Sequence, residues 1–222
     1  MKRILPFLVL NTILISATCS AATITNGDFA TCDYSGWSQA SDLDPIAPDD
    51  FTIIDNGGTC SAQISADLSD AFGNILFQEI DLSASDSSQL WLSLDFSVDS
   101  ALSDQAPLTA DYFSVYLNDG SGNLFDQDMN FGALFDAIDI NGAASYQQQI
   151  LLADSYKNQT GWFLEFQINS NFDFEAASIT VNSVALDAVE AVSAPAGLSL
   201  VVLGFAFAGW RQRTLIKEVT HV

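Results

Sequence analysis

Apolar and polar residues alternate with a period of two along much of the chain. Leu90, Leu92, Leu94, Phe96 and Val98 alternate with Trp91, Ser93, Asp95 and Ser97. Phe113, Val115 and Leu117 alternate with Tyr112, Ser114 and Tyr116, and Trp162, Leu164, Phe166 and Ile168 with Phe163, Glu165 and Gln167. Successive side chains of a strand point to opposite faces, so this pattern predicts strands with one face in a core. Further strands are predicted over 51–54, 61–65, 75–82, 147–152 and 178–186. Asn56-Gly57-Gly58, Asn118-Asp119-Gly120, Gly122-Asn123 and Asn141-Gly142 provide the turns between strands. The stretch from Ala40 to Asp50, with Pro45 and Pro48, reads as a loop. No long amphipathic helical period interrupts the series. About eight short strands in one chain segment predict an all-β jelly-roll sandwich, placed at residues 23–188.

The two ends follow a different pattern. Lys2 and Arg3 precede an apolar run from Ile4 to Ile15, and Ser20-Ala21-Ala22 provides small residues for cleavage. Residues 1–22 therefore read as a helical secretory signal peptide, with the Sec translocon and signal peptidase as partners. At the other end no charge occurs from Ala194 to Trp210, and Arg211, Arg213 and Lys217 follow. This predicts a linker over 189–196, a transmembrane helix over 197–210 and a basic cytoplasmic tail over 211–222. The expected location is export, with at least transient anchoring in the inner membrane, then the cell surface or the medium.

Charge sharpens this reading. The formal net charge is −22, from 28 acidic and 6 basic residues. Lys157 is the only basic residue between Thr23 and Val192, whereas every acid except Glu218 lies in that span. Such a surface repels phosphates and anionic lipids, which excludes nucleic acid as a partner, and it attracts cations. Ca2+ is the one candidate cofactor. Removal of the signal peptide also removes Cys19, leaving Cys32 and Cys60 in an oxidising compartment. Only one pairing is then available, and a Cys32–Cys60 disulfide is expected.

Two resemblances add to this. Val192-Ser193-Ala194-Pro195-Ala196, the apolar stretch from Gly197 to Trp210, and Arg211-Gln212-Arg213 resemble the PEP-CTERM class of sorting signals, in a variant form. That resemblance implies processing by an exosortase-type enzyme and display in an exopolysaccharide matrix. Thr25-Asn26-Gly27-Asp28-Phe29, followed by Tyr34-Ser35-Gly36-Trp37, is similar to the opening of galactose-binding-like jelly rolls, many of them carbohydrate-binding modules. It implies core roles for Phe29 and Trp37. In that family a structural Ca2+ often sits near the first and last strands. Here Ala30 and Asn182 stand where acidic residues are common, which leaves Asp28 and Asp187 as candidate metal ligands.

Catalytic chemistry finds little support. The only histidine is His221, in the tail, so imidazole bases, His-based triads and His-ligated zinc are excluded from the sandwich. Sugar binding needs flat aromatic platforms beside hydrogen-bonding groups. Trp91 with Asp95, and Tyr112 with Tyr116, are the candidates, with Glu165 and Gln167 on a third polar face. All would form one surface if their strands share a sheet. The expected function is therefore a non-catalytic, glycan-binding surface or matrix protein. The alternatives are a structural, Ca2+-dependent envelope or adhesion protein and, less favoured, a secreted glycoside hydrolase.

Overall fold

The computed structural model describes residues 23–42, 46–47, 49–66, 73–100, 111–137, 140–170 and 176–190. Eleven strands are present among them: β1 Ser38–Ser41, β2 Phe51–Asp55, β3 Cys60–Ala66, β4 Gly73–Ile80, β5 Ser88–Ser100, β6 Tyr112–Asn118, β7 Leu124–Phe125, β8 Phe135–Ala137, β9 Gly142–Leu152, β10 Trp162–Asn169 and β11 Ala177–Glu190. One sheet has the order β1-β4-β10-β6-β7, with β8 also on β6. The other has the order β2-β3-β11-β5-β9. Every pairing is antiparallel. The chain changes sheet from β1 to β2, β3 to β4, β4 to β5, β5 to β6, β8 to β9, β9 to β10 and β10 to β11. This is the winding of a jelly-roll sandwich.

The alternating pattern dictates the core. Leu90, Leu92, Leu94, Phe96 and Val98 of β5 are all buried between the sheets. They face Phe113, Val115 and Leu117 of β6 and Leu164, Phe166 and Ile168 of β10, also buried. Phe96 is the aromatic hub, with ring centroids 5.0 Å from Phe135, 5.4 Å from Tyr146 and 5.8 Å from Phe166.

The segment ahead of β1 forms a hook laid across the sandwich. Phe29 is fully buried and stacks on Trp37, with centroids 5.4 Å apart. Gly27 lies against β11 so closely that a Cβ there would sit 2.2 Å from the Val184 carbonyl oxygen. The Val184 N–H in turn donates to the Gly27 carbonyl at 2.7 Å. Asn26 turns the chain at φ 48°, and the Asp28 carboxylate accepts from the Ala30 N–H. The hook is stapled twice to the second sheet. Cys32 and Cys60 are disulfide-bonded. The Tyr34 hydroxyl donates to the Thr52 carbonyl at 2.6 Å, and burial pushes its phenol up to about 12.

At the end of β11, hydroxyls of Ser85, Ser87 and Ser88 converge on the Glu190 carboxylate at 2.7–3.1 Å. These donors hold it below the ordinary glutamate range. Strand β11 thus runs two residues past the expected boundary at 188. The expected signal helix, the Val192–Ala196 motif, the transmembrane helix and the tail with Arg211 and Arg213 lie outside the described residues. Among the described residues no helix is long and apolar enough to cross a membrane.

Candidate functional site

Sequence reasoning allowed Trp91, Asp95, Tyr112, Tyr116, Glu165 and Gln167 to share one surface, and the structure divides them. Trp91 and Asp95 lie on β5 in the second sheet, while Tyr112 and Tyr116 on β6 and Glu165 and Gln167 on β10 belong to the first. The inward positions of all three strands fill the same core, so these residues project from opposite outer faces. A jelly roll changes sheet between β5 and β6, and neighbours in sequence therefore end on opposite sides.

The outer face of the first sheet is largely engaged with itself. Tyr116 stands directly across from Glu165 in register. Asn118 and Gln167 donate their side-chain amides to the two Glu165 oxygens at 2.7 and 2.8 Å. Glu165 is only 8% exposed, and Ser114, between the tyrosines on β6, is fully buried. Burial and the adjoining Tyr116 hydroxyl raise the Tyr112 phenol well above its ordinary value. Phe77 and Phe163 meet edge to face at 5.9 Å.

The outer face of the second sheet is open. Antiparallel register sets Asp187, Trp91 and Leu151 abreast on β11, β5 and β9. It likewise aligns Ala185, Ser93 and Gln149, then Ser183, Asp95 and Gln147. Small residues in the middle row leave a trough of about 280 Å³, lined by Ser93, Asp95, Gln147, Gln149, Ser183 and Ala185. Trp91 and Asp95 are four residues apart on one strand, or about 13 Å at the usual rise.

A bulge builds the far end of the trough. The β11 register shifts between Val181 and Ser183, leaving Asn182 as the extra residue. Such a residue is released from the ladder and its side chain is re-aimed. Asn182 Nδ2 donates to Asp95 Oδ1 at 2.8 Å, and its Oδ1 accepts from the Ser61 hydroxyl at 3.0 Å. Gln147 Nε2 donates to the other Asp95 oxygen at 2.9 Å. Asp95 is thereby fixed between two amides. Gln147 keeps its carbonyl oxygen, and Gln149, Ser93 and Ser183 add donors and acceptors along the walls. An indole beside such a row suits a ligand with an apolar face and many hydroxyls. Sequence reasoning found Trp91 and Asp95. It missed Gln147, Gln149 and the bulged Asn182, because their roles arise only from strand pairing.

Asp28 and Asp187 do come together, lining a second pocket of about 440 Å³ with Thr23, Asn26, Gly27 and Val184. It shares Ala185 with the trough and lies on the Asp187 side of Trp91. Among the described residues no group of three or more His, Cys, Asp or Glu side chains is arranged to hold a metal ion.

No family model matches the chain, and no curated protein matches it. Solved structures give distant similarities. The carbohydrate-binding module TmCBM61, in complex with β-1,4-galactotriose, is 13% identical over 76% of this chain and 99% of its own, with a TM-score of 0.46. The CBM22-1 xylan-binding domain from Paenibacillus barcinonensis is 16% identical over 79% and 100%, with a TM-score of 0.41. A cyclase from Fischerella sp. TAU is 15% identical over 78% and 100%, with a TM-score of 0.44. None of these carries its ligand or activity over to this chain.

Proposed function

We propose that this chain is an exported, non-catalytic surface or matrix protein whose sandwich, of the galactose-binding-like kind, holds a polysaccharide along the trough at Asp95 and across the neighbouring Trp91. The observation that carries the reading is the open trough itself, in which two amides fix Asp95, with Trp91 at the next outward position of β5 beyond Ser93. The hook from Asn26 to Trp37 supports the kinship. The signal-like N-terminus and the Val192–Ala196 motif with its apolar and basic continuation support export, exosortase-type sorting and a matrix polysaccharide as ligand. A binding role, not a catalytic one, fits a carboxylate whose two oxygens are both taken by amides.

Affinity electrophoresis or calorimetry with the host's exopolysaccharide tests this directly. Trp91→Ala should weaken binding by roughly tenfold or more, the usual scale for a tryptophan anchor. Tyr116→Ala, on the opposite face, should leave it unchanged. Loss on Tyr116→Ala with retention on Trp91→Ala would move the site to the other sheet. Absence of binding to any polysaccharide would reject the reading.

A second reading, a Ca2+-dependent envelope or adhesion protein, draws on the shared pocket of Asp28 and Asp187. Calorimetry with Ca2+ should then give stoichiometric binding that survives added salt and is lost in Asp187→Asn. Weak heat that salt screens away would mark a counterion cloud and dismiss it.

A further inference from the structure

We infer that the outer edge of β9 is a self-association surface, and that a second copy of this chain adds its own β9 there, antiparallel, across a two-fold axis. The inference stands independently of the glycan reading.

Sheet edges present unpaired N–H and C=O groups, and soluble proteins protect them with short strands, charges, prolines or bulges. Three edges here are short: β1 has four residues, β2 five, and β7 and β8 two and three. The fourth is β9, with eleven residues, about 35 Å of strand. Among the described residues β9 pairs only with β5, leaving its other edge without a strand. Its register with β5 runs from Leu152 to Gly142 without a shift, so no bulge twists it away. It contains neither proline nor lysine.

The charge pattern selects the occupant. No charged residue falls between Asp139 and Asp154, the longest such run from Asp28 to Glu190. A chain of net charge −22 repels its own copies over most of its surface. The β9 edge is the long strip where that repulsion is weakest. A basic peptide would be drawn instead to the acidic turns, and an uncharged edge best fits another uncharged edge.

The strand is also close to self-complementary. With the two-fold axis at Gln148, Gln147 faces Gln149 of the copy, Tyr146 faces Ile150, and Ser145 faces Leu151. Leu151 is one of the few exposed large apolar residues among the described ones, at 41% exposure, and this pairing would partly cover it. A two-fold contact closes on itself and so stops at a dimer. Both troughs would then lie on one continuous sheet face, favouring long, repetitive ligands through avidity.

Sedimentation equilibrium of the full-length protein in density-matched detergent tests the inference. The wild type should reach a dimer, twice the mass of its own single chain. Ser145→Glu with Leu151→Glu places like charges opposite each other and should return it to monomer. Ser145→Lys with Leu151→Glu places opposite charges face to face and should restore the dimer. Hydrogen exchange should show, in the dimer, added protection of the alternate amides of 143–151 that face away from β5, and its loss in the doubly acidic variant. Unchanged protection across β5 should confirm that this variant is folded. A monomeric wild type at every concentration, or a dimer that the doubly acidic pair leaves intact, would overturn the inference. The second result would assign association to the apolar ends.

Discussion

Replacing Cys32 and Cys60 together by alanine should lower unfolding free energy by about 3–4 kcal/mol. The bond links positions 28 residues apart. In the chain-entropy picture a closed loop of that length removes about that much disorder from the unfolded ensemble. The structure gives reason to expect the full effect. The bond ties the hook, which buries Phe29 and Trp37, to the first residue of β3, and Cys60 is itself almost fully buried. Alanine avoids leaving a serine hydroxyl in that apolar site. Urea melts of the oxidised wild type, the reduced wild type and the double variant should place the last two together. A loss under about 1 kcal/mol would mean that the Tyr34 staple and the Gly27–Val184 contact hold the hook without covalent help.

Phe96→Ala should cost about 3–5 kcal/mol, the range for deleting a buried aromatic side chain. Phe96 lies between the sheets and is in ring contact with Phe166 of β10, Phe135 of β8 and Tyr146 of β9. The resulting void would have aromatic walls drawn from three strands in both sheets, which cannot all collapse inward together. A denaturant midpoint lowered with an unchanged slope would register the loss. A midpoint within about 1 kcal/mol of wild type would show that the neighbouring rings close the gap. Because Tyr146 belongs to the outermost strand of its sheet, this variant should also loosen β9.

How far the fold was legible depends on whether a feature is local. Leu90 to Val98, Phe113 to Leu117 and Trp162 to Ile168 announced their strands, since inward faces must be apolar whatever the topology. Cys32 and Cys60 were left as the one pair once Cys19 was read as part of a signal peptide. Sheet membership was not legible. Alternation shows which side of a strand is buried but not which sheet holds it, so Trp91 and Tyr112 were open to the same surface. The first half of β9 escaped notice because Gly142, Ala143, Ala144 and Ser145 have low strand propensity and are held there by the register with β5. The short β7 and β8 form only through pairing with β6. Asn182 is the clearest case. In sequence it is an amide standing where a carboxylate is common. In the fold it is the bulge residue that bridges Ser61 and Asp95.

The hook and the closing strand also bring the two ends of the described sandwich close together. Thr23 bridges to Asp81, and Glu190 is gripped by Ser85, Ser87 and Ser88. Both chain ends of the sandwich therefore leave beside the single connection from β4 to β5, at one pole. A tether attached through either end would hold the domain like a flag on its pole, with its broad sides facing sideways and the trough of the second sheet running outward along the strands, reachable by a long polymer passing alongside.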